Sequence, residues 1–164
     1  MIAMPLPDAD VMSRRDDIAA ALRRIIPAAS VIDAAPALRA YESDGLAAYR
    51  QPPLVVALPE TTAQVSAILR YAFDNNIKIV PRGAGTSLSG GALPLADGIL
   101  LGMAKFNRVL DVDFANRCAV VQPGVTNLAI TKAVEHKGFY YAPDPSSQIA
   151  CTIGGNVAEN SGGV

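Results

Sequence analysis

The sequence has no tryptophan, and aromatic residues make up only 5% of its 164 positions. It also has little net charge, because 14 basic and 15 acidic side chains leave −1 at pH 7. Nucleic-acid-binding domains usually present a basic face, and many add aromatic platforms on which bases stack. We therefore expect no nucleic-acid partner.

Cysteine is scarce as well. Cys118 and Cys151 are isolated, form no CxxC pair and have no histidine at zinc-ligand spacing. Two separate thiols in a chain of core-forming length favour a reducing compartment. Residues 1–12 lack the basic residues of a signal or transit peptide, and no apolar run reaches membrane-spanning length. We expect a cytoplasmic protein without a metal site in this chain, which associates with a membrane, if at all, through partner subunits.

Glycine, in contrast, is concentrated in one run that follows the apolar segment Ile77–Val80. The run Pro81–Pro94 contains four glycines between positions 83 and 91, interleaved with hydroxyl side chains. Glycine permits positive φ and lets a ligand approach the main chain. Successive N–H groups in such a loop form a concave anion site. The run therefore predicts a phosphate-binding loop, with a tight turn that binds nothing as the alternative.

Two common phosphate loops do not fit this run. The Rossmann pattern G-x-G-x-x-G matches at Gly83 and Gly85 but meets Leu88 where its third glycine belongs, and no helical pattern follows. The nucleotide-triphosphatase loop requires lysine after its last glycine, where this chain has Gly91. Both classes are disfavoured.

A second cluster of small residues favours ligand binding by the first loop over a tight turn that binds nothing. Thr152–Asn156 and residues 160–163 are again rich in Gly, Ser, Thr and Asn and poor in charge. Two such loops predict a long ligand that is wrapped by backbone on several sides. Its phosphate charge would be met by main-chain N–H groups and hydroxyls, with Arg82 as the nearest cation.

Periodicity and capping residues predict alternating strands and helices. The chain should begin with a mobile tail over residues 1–12. Helices are predicted after Ser13, Thr61 and Thr126, strands at 31–32, 54–58, 77–80, 98–103 and 139–141, and a hairpin of 108–113 with 117–122.

Four motifs in fixed order resemble those of the FAD-linked oxidases. They are Pro81–Ala92, Gln122–Val125, Tyr141–Ser147 and Thr152–Asn156. Together they are similar to the FAD-binding domain of the vanillyl-alcohol-oxidase-like flavoproteins, also called PCMH-type. The similarity is greatest to the group of glycolate oxidase D subunits and D-lactate dehydrogenases, whose leader the segment 41–50 also resembles.

The resemblance implies an α+β fold of the PCMH type. A small strand–helix–strand subdomain would be followed by a mixed or antiparallel sheet with helices. Residues 1–50 would form an N-terminal helix and leader, and residues 51–164 a FAD-binding domain that is incomplete at its C-terminal end.

The resemblance also implies the cofactor contacts. The FAD pyrophosphate would lie against the first loop, and the ribityl and flavin parts against the later motifs. The implied residues are Arg82, Gly83, Ala84, Gly85, Thr86, Ser87 and Gly90, then Pro143, Asp144, Ser147, Thr152, Ile153, Gly154, Gly155, Asn156, Ser161 and Gly162. Because the first loop has no histidine or cysteine, we expect FAD to be bound without a covalent bond.

The reaction implied by the resemblance is oxidation of a small 2-hydroxy acid, glycolate or D-lactate, to the 2-keto acid, with hydride transfer to flavin N5. Partner subunits carrying flavin and iron–sulfur clusters are implied in the same way. No residue of the chain is convincingly placed as a catalytic acid, base or metal ligand, so we assign none and expect these groups beyond residue 164. Three alternatives stay open: a 2-hydroxyglutarate dehydrogenase, an alkyl-glycerone-phosphate synthase relative, and an inactive fragment that does not bind FAD stably.

Overall fold

The computed structural model describes residues 4–163. Within this range the chain forms α-helices and two sheets, which is the predicted α+β class. The helices are α1 Ala9–Ser13, α2 Arg15–Ile25, α3 Ala35–Leu38, α4 Thr62–Asp74, α5 Asn127–Val134 and α6 Ile153–Glu159. The strands are β1 Val31–Ile32, β2 Val55–Ala57, β3 Lys78–Arg82, β4 Gly98–Gly102, β5 Val109–Asp113 and β6 Cys118–Val121.

The first sheet has four strands in the order β1-β2-β4-β3. Strands β2, β4 and β3 run parallel, and β1 pairs antiparallel with β2. The predicted strand–helix–strand unit is present as β2-α4-β3, but β2 and β3 are not neighbours. Strand β4 lies between them, and all of its residues are buried, as expected at the centre of a sheet covered on both faces.

The two faces of this sheet have different covers. On one face, α2 and α4 pack Leu22 and Ile68 against Val55 and Ile99, in a cluster that also includes residues of β1. On the other face, Leu38 and parts of the leader cover strand residues. Burying a side chain such as Leu22 contributes about 1.5–3 kcal/mol. The leader therefore contributes to the core of the domain. The predicted boundary near residue 50, between the leader and the FAD-binding domain, stays a prediction.

The helix predicted after Ser13 is present as α2, but its predicted cap is wrong, because Arg14 is the N-cap residue and no described side chain caps this helix. Ser13 belongs to the preceding helix α1, which was not predicted. Helix α1 begins at Ala9, where the Asp8 side chain accepts hydrogen bonds from the backbone N–H groups of residues 10 and 11. Val11 is buried against the core, so residues 9–12 form a packed helix, and residues 1–3 of the predicted tail lie outside the described range.

Other capping signals are confirmed. Thr61 and Gln64 form the predicted capping box of α4, and Asn76 ends that helix with φ 55°. Thr126 caps α5. Each signal consists of one side chain acting on nearby backbone, so it can be recognised without knowledge of the fold.

The second sheet is the predicted hairpin of β5 and β6, with an irregularity between Val109 and Asp111. The predicted strand at 139–141 is wrong. No strand includes it in the described chain, and the backbone N–H of Tyr141 donates to Thr131 Oγ1 of α5 at 3.1 Å. The apolar aromatic run therefore follows a helix rather than pairing with the hairpin.

Candidate cofactor-binding site

The first glycine loop leaves the carboxyl end of β3. Gly85 and Gly90 adopt φ values of 72° and 78°, which side chains other than glycine rarely allow. Between Gly83 and Ala96 the chain has no ionisable side chain. The loop therefore has the backbone geometry and the absence of carboxylates that an anion site requires.

The backbone donors of this loop are free. From Gly83 to Leu88, no main-chain N–H donates a hydrogen bond to another residue in the part of the chain that the structure describes. All six residues are half-buried or exposed, so a ligand can reach them. The next N–H along the loop, that of Ser89, donates to Ser87 Oγ at 3.1 Å. A row of unpaired N–H groups fits a phosphate or pyrophosphate.

The side chain of Arg82 points toward the leader. Its Nη1 donates to the carbonyl oxygens of Ser43 at 2.8 Å and Tyr41 at 3.2 Å, and the guanidinium lies 5.9 Å from the centroid of the Tyr41 ring. Burial lowers the pKa of Arg82, whereas Asp44 and Tyr41 act in the opposite direction. The guanidinium thus joins the leader to the loop.

The second cluster is a helix start rather than an open loop, which corrects the sequence interpretation. Its backbone donors are already engaged: Ile153 N–H bonds Val125 O at 2.8 Å, Gly154 N–H bonds Pro123 O at 2.9 Å, and Gly155 N–H bonds Thr152 Oγ1 at 3.4 Å. A helix pattern was missed here because adjacent glycines are poor helix formers.

Close approach explains one of these glycines. A Cβ on Gly154 would lie 2.6 Å from Pro123 Cβ and 2.9 Å from Pro123 O. This residue therefore lets α6 pack on the segment that precedes α5. The second cluster therefore contributes partly exposed backbone and small side chains to one side of the candidate site, which we call the small-residue wall. Its engaged N–H groups are not available to a ligand.

The structure brings the two clusters together. A Cβ on Gly83 would lie 2.3 Å from Thr152 Oγ1, and a Cβ on Gly91 would lie 3.7 Å from Glu159 Oε1. Thr152 also forms a bridge with Thr126. The first loop and the start of α6 are thus in direct contact.

The proline-rich segment is held by a residue that sequence reasoning missed. Asn127 is only 2% exposed, and its Nδ2 donates to Pro143 O at 3.0 Å. Its Oδ1 accepts from Asn156 Nδ2 and, at 3.7 Å, from Cys151 Sγ. One buried amide therefore joins the 143–147 segment to α6. The sequence contains no signal for this role, because an asparagine directly after a helix cap is an ordinary helix start.

The remaining predicted residues lie at the end of the described chain. Asp144 N–H donates to Gly162 O at 3.0 Å, and Ser161 N–H donates to Asn156 O at 2.8 Å. These bonds fold the segment after α6 back onto the proline-rich motif. The predicted residues after position 142 thus form one connected group.

Among residues 4–163 there is no cluster of three or more His, Cys, Asp or Glu side chains able to hold a metal ion. His136 is exposed after α5 and packs edge-on against Phe114, with 5.9 Å between ring centroids. An apolar pocket lies between the hairpin and α5, lined in part by Val112, Ile130 and Phe139, and it includes none of the predicted cofactor residues.

Together, the parallel strands, the free loop donors and the small-residue wall suit a domain that binds a long, phosphate-bearing ligand. The comparison with known proteins makes this specific: residues 53–164 match the FAD binding domain family. The chain belongs to that family, and FAD is its cofactor.

The chain is similar over most of its length to curated flavoproteins. It is 54% identical to the glycolate oxidase subunit GlcD of Escherichia coli over 159 residues, which is 97% of this chain and 31% of that protein. It is 36% identical to the mitochondrial D-2-hydroxyglutarate dehydrogenase of Bos taurus over 91% of this chain and 27% of that one. The chain therefore spans about a third of the length of these relatives.

Solved structures confirm the fold. An alkyldihydroxyacetonephosphate synthase superimposes with a TM-score of 0.80 over 99% of this chain and 34% of that one, at 23% identity. A p-cresol methylhydroxylase superimposes with a TM-score of 0.75 over 92% of this chain and 30% of that one, at 18% identity. The predicted PCMH-type α+β fold is thus confirmed. Separately, no helix among the described residues is long and apolar enough to cross a membrane.

Proposed function

We propose that the chain is the FAD-binding portion of a flavin-dependent oxidoreductase that converts a small 2-hydroxy acid, glycolate or D-lactate, to the 2-keto acid. The observation that carries this proposal is the 54% identity to a glycolate oxidase subunit across 97% of the chain. When bound, FAD supplies the hydride acceptor for such an oxidation. The residues of this chain contribute binding and orientation.

In this proposal the first loop binds the pyrophosphate. The free N–H groups from Gly83 to Leu88 donate to phosphate oxygens, and Gly85 and Gly90 supply the positive φ values that shape the loop. Arg82 contributes its main chain, because the Nη1 edge of its guanidinium is engaged by the leader. No acidic side chain within the loop opposes the ligand charge.

The later motifs form the second wall of the site. Pro143, Asp144 and Ser147 are held beside α6 by Asn127, and α6 itself contacts the first loop at Gly83. This connection supports a single site in which the same cofactor lies along both motifs. Ribityl and flavin atoms would contact residues of the second wall: Thr152, Ile153, Gly154, Gly155, Asn156, Ser161 and Gly162.

A different 2-hydroxy acid, D-2-hydroxyglutarate, is the second candidate substrate. It is favoured by the 36% identity to a dehydrogenase that is named for this acid. The name of the Escherichia coli relative describes it as a subunit, which supports partner subunits for the protein that carries this chain. We place that protein in the cytoplasm, with membrane association through such partners.

The test uses the intact protein that carries this chain. It is purified and its flavin absorbance is followed anaerobically while glycolate, D-lactate, D-2-hydroxyglutarate or L-lactate is added. Bleaching by glycolate or D-lactate is expected, and preferential bleaching by D-2-hydroxyglutarate would select the second candidate. A flavin that none of the four acids reduces, or a protein with no affinity for FAD, would refute the proposal.

A further inference from the structure

A turn of the leader lies directly against the first glycine loop. This leader turn comprises residues 43–46. A Cβ built on Gly45 would lie 2.6 Å from Ser87 O and 2.7 Å from Thr86 O. Contacts this short do not occur for real side chains, and both partners are backbone atoms that cannot rotate away independently. Position 45 therefore requires glycine while the loop keeps its present conformation.

This contact fixes the direction of two loop donors. The described chain has no cis peptide bond, and in a trans peptide the C=O and N–H groups point in opposite directions. The carbonyl oxygens of Thr86 and Ser87 are the atoms nearest to Gly45. The N–H groups of Ser87 and Leu88 consequently point away from the leader turn, and neither is used within the described chain.

The leader turn is itself held in place. Asp44 Oδ1 accepts from Leu46 N–H at 2.9 Å, and Arg82 Nη1 donates to Ser43 O at 2.8 Å. Asp44 is only 8% exposed, and its Oδ2 is buried without a hydrogen-bond partner. A buried carboxylate with an unpaired oxygen is costly, and the nearby charge of Arg82 offsets part of this cost.

We infer that the leader turn positions the pyrophosphate-binding donors, with Gly45 as the residue that sets their orientation. The inference rests on the proposed FAD site, but it assigns a role to a segment that lies before the family match at residues 53–164. We assign Gly45 as a positioning residue, since the atoms nearest to it are the loop carbonyls of Thr86 and Ser87. The part of FAD that the positioned N–H groups would bind is the pyrophosphate.

The test compares intact wild-type protein with its Gly45→Ala variant. Apoprotein is titrated with FAD, and the ³¹P resonances of the bound pyrophosphate are recorded at saturation. Misorienting charge-assisted donors should raise the dissociation constant for FAD about tenfold. The ³¹P resonances should move toward those of free FAD while the flavin absorption spectrum is unchanged.

Gly138→Ala is the control. Gly138 has a φ of 76°, at which an alanine is strained, but it is exposed and no atom of a non-neighbouring residue in the described chain lies within 4 Å of a Cβ built on it. The control should lose thermal stability and keep wild-type FAD affinity and ³¹P shifts. Equal FAD affinity in wild type and Gly45→Ala, or unchanged ³¹P shifts, would overturn the inference and leave the proposed function standing. Failure of wild type to bind FAD would refute both.

Asp44 supplies a second pair of variants if Gly45→Ala does not fold. Asp44→Asn keeps a side-chain oxygen that can accept from Leu46 N–H, whereas Asp44→Ala removes it. Asp44→Asn should retain the ³¹P shifts of bound FAD, and Asp44→Ala should shift them toward free FAD. Identical shifts in these two variants would contradict a positioning role for the leader turn.

Discussion

Gly83 lies so close to Thr152 that a Cβ on the glycine would stand 2.3 Å from the threonine Oγ1. The same Oγ1 caps α6 by accepting from Gly155 N–H. The first loop and the start of α6 are far apart in the sequence. The Thr152 side chain nevertheless fills the space that any side chain larger than glycine at position 83 would need. This contact couples the shape of the loop to the capping of the helix.

The first prediction follows from that contact. Gly83→Ala should displace the Thr152 side chain and lower the free energy of unfolding by about 1–2 kcal/mol, since it combines a steric clash with a weakened cap. The FAD dissociation constant should rise as well. Urea denaturation and FAD titration measure the two effects.

A double variant tests whether the loss of stability in Gly83→Ala comes from the clash with Thr152. Thr152→Ala removes the cap but makes room for a Cβ on Gly83. The double variant Gly83→Ala, Thr152→Ala should therefore be more stable than the sum of the two single effects predicts, by at least about 0.5 kcal/mol. Strict additivity would show that the two residues do not compete for the same space.

The second prediction concerns Asn127, which joins the 143–147 segment to α6. Asn127→Ala leaves Pro143 O and the Asn156 amide without their partner, and a lost buried hydrogen bond of this kind costs about 1–3 kcal/mol. Unfolding by urea should show this loss, and FAD affinity should fall because the second wall is no longer fixed. Asn107→Ala, at an exposed asparagine, should change neither quantity.

Local signals explain which parts of the fold could be predicted. The capping box of Thr61 and Gln64 and the stop at Asn76 each depend on a few consecutive residues, so sequence alone is sufficient. The central position of β4 depends on pairing between distant segments. The apolar sequence of β4 predicts only that the strand is buried. Several strand orders would bury it equally well.

The candidate site could be predicted in part, and phosphate binding by its first loop stays a prediction. The first loop could be recognised from its glycines, of which Gly85 and Gly90 adopt positive φ. The direction of the Arg82 side chain could not, since it depends on carbonyl oxygens of Tyr41 and Ser43 some forty residues earlier. Asn127 was missed for the same reason: its partners at Pro143 and Asn156 are brought to it only by the folded chain.

The third prediction is a pH dependence of stability. Burial alone would raise the pKa of Asp97, but hydrogen bonds from the Lys78 side chain and from the backbone N–H of Asp8 outweigh it, so the pKa is lowered. A carboxylate with a lowered folded-state pKa stabilises the fold above its unfolded pKa of about 3.9. This contribution is lost as the pH falls through the lower, folded-state value.

Asp97→Asn should therefore destabilise the protein near pH 7 by about 1–3 kcal/mol, because it removes a buried charge partner of Lys78. The difference between wild type and variant should begin to shrink near about pH 4, where Asp97 becomes protonated in the unfolded chain, and it should continue to shrink as the pH falls through the lower folded-state pKa. Urea denaturation at several pH values measures this. Asp111→Asn, at an exposed carboxylate, should show no such convergence, and a constant difference for Asp97→Asn would contradict the assignment.

The fourth prediction is that the flavin is not covalently attached. A covalent bond needs a nucleophilic side chain beside the isoalloxazine ring, and the residues assigned to FAD in the first loop and in the second wall include neither histidine nor cysteine. Cys151, adjacent to the second wall, is buried and directs its Sγ to Asn127 Oδ1. Acid precipitation of the intact holoprotein should therefore release the flavin into the supernatant and leave a colourless pellet. Flavin retained in the pellet would contradict the prediction, and its loss in a Cys151→Ser variant would identify this thiol as the attachment point.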